Sequence, residues 1–210
     1  MHTLQYITGG TDIGTADKAL ILVHGRGGSA EDILSLADAL PVEDYALFAP
    51  QAAANSWYPY SFMAPLSNNE PWLTSALGVL KQLVAHIGSK GIAADHTWFA
   101  GFSQGACLML EYLARNAERY GGAAAFTGGL IGDRIYPQHY RGDFGGTPVF
   151  IGTGDPDPHV PVQRVHDTVS LLKGMNAAVT EKVYSGMGHT ISGDELRQAS
   201  RLVLGRELSA

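Results

Sequence analysis

The stretch from Thr97 to Tyr120 constrains the fold most: a short apolar run, a five-residue corner, then a helical repeat. Thr97-Trp98-Phe99-Ala100 has the aromatic and β-branched content of a strand. From Ala106 onward, Leu108, Met109, Tyr112 and Leu113 recur at helical spacing. Between them stands Gly101-Phe102-Ser103-Gln104-Gly105. A chain that passes from strand to helix so abruptly goes through a strained backbone conformation that lifts the central side chain above the end of a sheet. Glycines two residues to either side leave room for that turn. With 26 glycines in 210 residues, the pattern recurs by chance often enough that its setting must carry the argument. The alternative is an ordinary turn serine.

The setting extends along the chain. Ala19-Leu20-Ile21-Leu22-Val23 is a continuous apolar run, as expected of a buried parallel strand, and it feeds His24-Gly25-Arg26-Gly27-Gly28. Ser29 is placed to cap a following helix, with Glu31 and Asp32 in its first turn. Tyr45 to Ala49 reads as the next strand. Pro71 opens a long helix through Leu73, Leu77, Leu80, Leu83 and Ile87. After the corner and its helix come strands at Gly122 to Thr127, Pro148 to Ile151 and Ala178 to Tyr184. Helices are expected over Val162 to Leu172 and Ile191 to Leu204. Leu4 to Thr8 is a candidate antiparallel edge strand. Such alternation predicts one α/β domain over 1–210, with a mostly parallel sheet, helices on both faces and chemistry at the strands' carboxyl ends. Two connections are long and aromatic, 51–70 and 128–146, and aromatic content in long loops points to function rather than disorder.

Composition excludes several classes. Charged residues make up 16% and the formal net charge is −6, with no basic run, so neither nucleic acid nor an anionic membrane surface is an expected partner. The lone Cys107 cannot form an internal disulfide, which fits a reducing compartment. The first residues lack a basic start followed by an apolar stretch, no apolar run is long enough for a membrane span, and a cytoplasmic location is expected. No His/Asp cluster has metal-ligand spacing. The glycine-rich loop at 24–28 lacks the lysine of a phosphate-binding loop and the spacing of a dinucleotide fingerprint, so no cofactor is expected.

A serine hydroxyl becomes a nucleophile when a neutral imidazole takes its proton and a carboxylate holds that imidazole in the right tautomer. In the order serine, acid, histidine, the candidate bases after Ser103 are His139, His159, His166 and His189. His166 falls in a helical pattern and His139 precedes every good acid. His189 lies in Ser185-Gly186-Met187-Gly188-His189, directly after the last strand, whence it can reach across the sheet top; His159 is the second choice. For the acid, Asp155 and Asp157 both follow the strand ending at Ile151, and both also suit a turn; spacing does not choose between them. Negative charge on a carbonyl oxygen would need two backbone N–H donors, one from Gln104 and one from the loop 24–28.

These pieces together resemble the phospholipase/carboxylesterase family of small α/β hydrolases, which also contains acyl-protein thioesterases. The resemblance rests on Leu22-Val23-His24-Gly25-Arg26-Gly27, Gly101-Phe102-Ser103-Gln104-Gly105-Ala106, Gly154-Asp155-Pro156-Asp157-Pro158-His159-Val160-Pro161 and Gly186-Met187-Gly188-His189, spanning about residues 18 to 192. It implies an α/β-hydrolase fold without a large lid domain, Ser103 as nucleophile, Asp157 as acid and His189 as base. It also implies Arg26 and Gln104 as oxyanion-binding backbone amides. Two departures set this chain apart: members acting on acylated proteins commonly carry a small apolar residue in place of Arg26, and the region from Trp57 to Trp72 is unlike their loops. The expected activity is therefore hydrolysis of a small carboxylic ester through an acyl-enzyme. Substrate contacts are expected from Trp57, Tyr58, Phe62, Met63 and Met187, with Trp57 favoured because its loop is polar and offers little core to join. The competing readings are an acyl thioesterase or lysophospholipase, a dienelactone-type hydrolase (which would place cysteine at the corner), and a non-catalytic binder on the same scaffold. A homodimer is compatible with the sequence and not required by it.

Overall fold

The structure is a computed structural model that describes residues 1–208. Seven strands form one sheet in the order β1-β3-β2-β4-β5-β6-β7. β1 (Tyr6–Gly10) lies at one edge, antiparallel to β3 (Ala46–Pro50). β2 (Ala19–Val23), β4 (Thr97–Phe102), β5 (Gly122–Phe126), β6 (Pro148–Asp155) and β7 (Ala178–Ser185) continue the sheet in parallel pairing. The interior strands read as unbroken apolar runs because helices cover both faces. β2 shows the division of labour: Ala19, Ile21 and Val23 face one core, Leu20 and Leu22 the other.

The first core lies under α3 (Trp72–Ser89), α4 (Gln104–Arg115) and α5 (Val162–Gly174). The second lies under α1 (Ala30–Leu34) and α6 (Gly193–Leu202). A one-turn helix, α2 (Leu66–Asn69), sits in the long 51–70 connection. α4 buries every residue but Arg115, since it packs on β2, β4 and β5 with α3 beside it.

Several boundaries differ from expectation for local reasons. β4 continues through Gly101 and Phe102, pairing with Ala125 and Phe126 of β5. α4 stops at Arg115 because Asn116 leaves helical geometry and its side-chain amide donates to Tyr112 O at 2.8 Å. α6 starts at Gly193, not Ile191, because Ser192 is its N-cap and closes a reciprocal capping box with Glu195. Ser29 caps α1 as expected, though that helix tightens into a 3₁₀ turn from Ser35 to Ala39. The edge strand lies two residues later than expected, at Tyr6–Gly10. Among the described residues no helix is long and apolar enough to cross a membrane.

Candidate active site

β4 ends at Phe102, α4 begins at Gln104, and Ser103 alone makes the turn, with φ 54° and ψ −119°. A non-glycine residue in that region costs on the order of 1–3 kcal/mol, so its surroundings must hold it there. They do. Ser103 N–H donates to Phe126 O at 3.0 Å, and Ser103 O accepts from Cys107 N–H at 3.0 Å. The flanking glycines answer to space: a Cβ on Gly105 would lie 2.1 Å from Val23 O, and one on Gly101 2.9 Å from Ala106 N. The first turn of α4 therefore presses directly on the ends of β2 and β4.

Two further strand ends converge on Ser103. Asp157 follows β6, and its Oδ1 accepts from the backbone N–H of His159 (2.7 Å) and Val160 (2.9 Å). Its Oδ2 lies 2.8 Å from His189 Nδ1, while His189 Nε2 lies 2.8 Å from Ser103 Oγ. A neutral imidazole carrying its proton on Nδ1 satisfies both contacts, donating to the carboxylate and accepting from the hydroxyl. The Asp157 side chain is 0% exposed and that of His189 is 20% exposed. Burial alone would raise the Asp157 pKa; the two N–H donors and the imidazole outweigh it and hold the carboxyl below its usual range. The ring of His189 is bracketed by Phe102 at 5.0 Å and by His159, edge-on, at 4.8 Å. His159 thus neighbours the imidazole that meets Ser103, and His139 and His166 lie elsewhere. Asp155 ends β6 with an exposed side chain.

The loop after β2 closes the other side. A Cβ on Gly25 would sit 3.3 Å from Phe102 O and 3.5 Å from Ser103 Cβ, so this loop passes close above the corner. Gln104, as first residue of α4, has a backbone N–H without an intrahelical acceptor. Arg26, Gln104, Ser103 and His189 all border one cleft of about 830 Å³. Tyr58, Phe62, Cys107 and Val160 wall it on one side, and Ile33, Leu36, Phe102 and Ile191 also line it.

Of the five expected substrate contacts, Tyr58 and Phe62 line this cleft, whereas Trp57, Met63 and Met187 do not. Trp57 is a correction: it is 0% exposed and belongs to the core, between the rings of His2 and His24 at 5.4 and 5.0 Å. Its indole N–H donates to His24 O at 2.9 Å, so it braces the 24–28 loop from beneath. Met63 packs partly buried against the same core. Met187 belongs to the backbone that crosses Gly154, where a Cβ would lie 2.0 Å from Met187 O. Cys107 is buried and its thiol is pushed up to about 12 by burial, which leaves it an apolar wall and no second nucleophile.

Sequence reasoning missed the side chain of Gln104. Its Oε1 accepts from Trp57 N–H and its Nε2 donates to Tyr58 O, both at 2.9 Å. It also missed Ile33, Leu36 and Ile191 as cleft residues, since their helical spacing and chain position read equally well as core. Glu111, fully buried on α4, is a tie for the 128–146 connection: it accepts from Ile131 N–H and Tyr140 O–H and pairs with Arg115.

Comparisons with known proteins place the chain by family and fold. The family model for phospholipase/carboxylesterase matches residues 11–203. Acyl-protein thioesterase 1 of Saccharomyces cerevisiae is 27% identical, covering 90% of this chain and 92% of that protein. A crystal structure of a phospholipase/carboxylesterase from Dyadobacter fermentans superposes with a TM-score of 0.96 at 55% identity, covering 97% of each chain. The Bacillus cereus carboxylesterase, at 18% identity and TM-score 0.77, covers 96% of this chain and 93% of its own, and shares the fold.

Proposed function

We infer, from the premise that the chain belongs to the phospholipase/carboxylesterase family of α/β hydrolases, that it is a serine carboxylesterase for small carboxylic esters. The observation that carries this reading is the continuous relay Asp157–His189–Ser103, 2.8 Å at each step, opening on an apolar-walled cleft. Ser103 Oγ attacks the ester carbonyl while His189 Nε2 takes its proton. Asp157 holds the ring orientation and stabilises the imidazolium. The N–H groups of Arg26 and Gln104 receive the developing oxyanion. His189 returns the proton to the leaving alkoxide, the alcohol departs, and a water activated by the same nitrogen releases the carboxylic acid and restores Ser103.

The pocket residues of this reading are Tyr58 and Phe62, with Cys107 and Val160 beside them. The buried lone cysteine suits a cytoplasmic location. Thioester hydrolysis is the second reading, favoured by the acyl-protein thioesterase relative, because the same relay serves a thiolate leaving group. Parallel series of p-nitrophenyl esters and acyl thioesters separate the two. Ser103→Ala should remove turnover of both substrates and abolish labelling by a fluorophosphonate probe. Wild-type rates in that variant would overturn the mechanism, and an unlabelled wild type would favour a non-catalytic binder.

A further inference from the structure

Arg26 and Gln104 share a second property, distinct from their backbone N–H groups: both commit their side chains to the same short segment, 56–60. Arg26 Nη1 donates to Ser56 Oγ and Pro59 O at 3.0 Å each, and Nη2 to Tyr60 O at 2.6 Å. The guanidinium also stands 5.9 Å over the Tyr58 ring. Gln104 grips Trp57 N–H and Tyr58 O, and Ser56 Oγ donates to Tyr58 O at 3.0 Å. Gly27 N–H adds a backbone bond to Asn55 O at 2.7 Å. The segment so held carries Tyr58, which leads into Phe62 along the cleft wall.

We propose that segment 56–60 is an acyl gauge whose fit is transmitted to the oxyanion donors, with the Arg26 guanidinium as the coupling that determines specificity. The inference rests on the reading of Ser103 as nucleophile and of the Arg26 and Gln104 amides as oxyanion donors. An acyl group that seats against Tyr58 leaves the segment, the guanidinium and the Arg26 N–H where they are. A longer group displaces the segment, and Arg26 moves with it because three charge-assisted bonds join them. Donor geometry then deteriorates, and discrimination against the longer ester appears in kcat as well as in KM. Three of its N–H groups are given to Ser56, Pro59 and Tyr60, and through them the guanidinium serves this coupling.

The test is steady-state kinetics of the full chain on p-nitrophenyl acetate, butyrate, hexanoate and octanoate, comparing wild type with Arg26→Met, Arg26→Lys and Ser56→Ala. Arg26→Met should lower kcat on the best short ester and flatten the profile, reducing the short-to-long kcat ratio by roughly fivefold or more, since one misplaced oxyanion donor affects turnover that strongly. Arg26→Lys should restore part of the ratio, and Ser56→Ala should shift it in the direction of Arg26→Met. A uniform loss across all four esters, or an unchanged profile, overturns the coupling and leaves Arg26 a structural tether. Fluorophosphonate labelling of Ser103 in the same variants keeps the outcomes apart: labelled enzyme with an unchanged profile refutes only the gauge, whereas unlabelled wild type refutes the underlying mechanism.

Discussion

Asp155 and Asp157 occupy the same connection after β6, two residues apart, and their chemistry is alike until the backbone places them. Asp155 closes the strand in register with Ser185, its side chain in solvent. Asp157 folds inward, its Oδ1 fixed by two backbone N–H groups and its Oδ2 turned to His189. Asp157→Asn should therefore cut kcat on the order of 10⁴, because the amide no longer holds the imidazole in its productive tautomer. Asp155→Asn should stay within a few-fold of wild type by the same assay; a comparable loss in both would show that the carboxylates act together. The distinction was not legible in spacing, since each aspartate suits a turn beside proline and glycine. That Ser103 and His189 come together was legible, because a corner between strand and helix and a loop after the last strand each leave few alternatives. Trp57 was misread for a physical reason. Its sequence neighbours are polar, but the groups that bury it, His2 and His24, come from elsewhere in the chain.

At the scale of elements, the loop bearing His189 is held at its far end by the start of α6. Ser192 Oγ accepts from Glu195 N–H, and Glu195 Oε2 accepts from Ser192 N–H at 2.7 Å and Ser192 Oγ at 3.0 Å. Glu195 is fully buried and packs where a Cβ on Gly152 would fall 2.3 Å from its Oε1, so β6 must carry glycine there. Burial pushes this carboxyl up, against the opposing pull of its bonds to Ser192. Ser192→Ala should cost about 1 kcal/mol in denaturant unfolding, the usual loss of an N-cap. It should also lower kcat more than it changes KM, because His189 precedes the cap by only three residues. A stability loss with kcat intact would mean the loop is positioned by Asp157 alone. Most elements were legible from apolar runs and helical spacing. Their ends were not, because ends are decided by single groups such as Ser192 and Asn116, although Ser192 followed by Glu195 was a cap signal present in the sequence.

Across the whole molecule, the chain's first residues brace Trp57, and through it the 24–28 loop. His2 N–H donates to Ser75 Oγ on α3, its Nδ1 accepts from Ala53 N–H, and its Nε2 lies 2.8 Å from Trp57 O. On the other face of Trp57, His24 Nε2 accepts from Ala52 N–H at 3.1 Å and its Nδ1 lies 2.7 Å from Gly25 O. Each imidazole thus accepts a backbone N–H through one nitrogen and is fitted to donate through the other, an arrangement open only to the neutral ring. Burial lowers both pKa values below 6.5 in spite of their backbone acceptors. The unfolded chain therefore binds more protons than the folded one as pH falls from about 6.5 toward the folded-state values. Stability from this pair is complete above that range and drains away through it, before the lowered pKa of Asp157 contributes its own loss in stronger acid. The melting temperature should accordingly hold at alkaline pH and fall as the pH drops below about 6.5. His2→Gln should melt lower at pH 8, where it lacks the ring, yet show a shallower fall on acidification. A variant that keeps the full acid slope would assign that slope to other groups and remove His2 from the account.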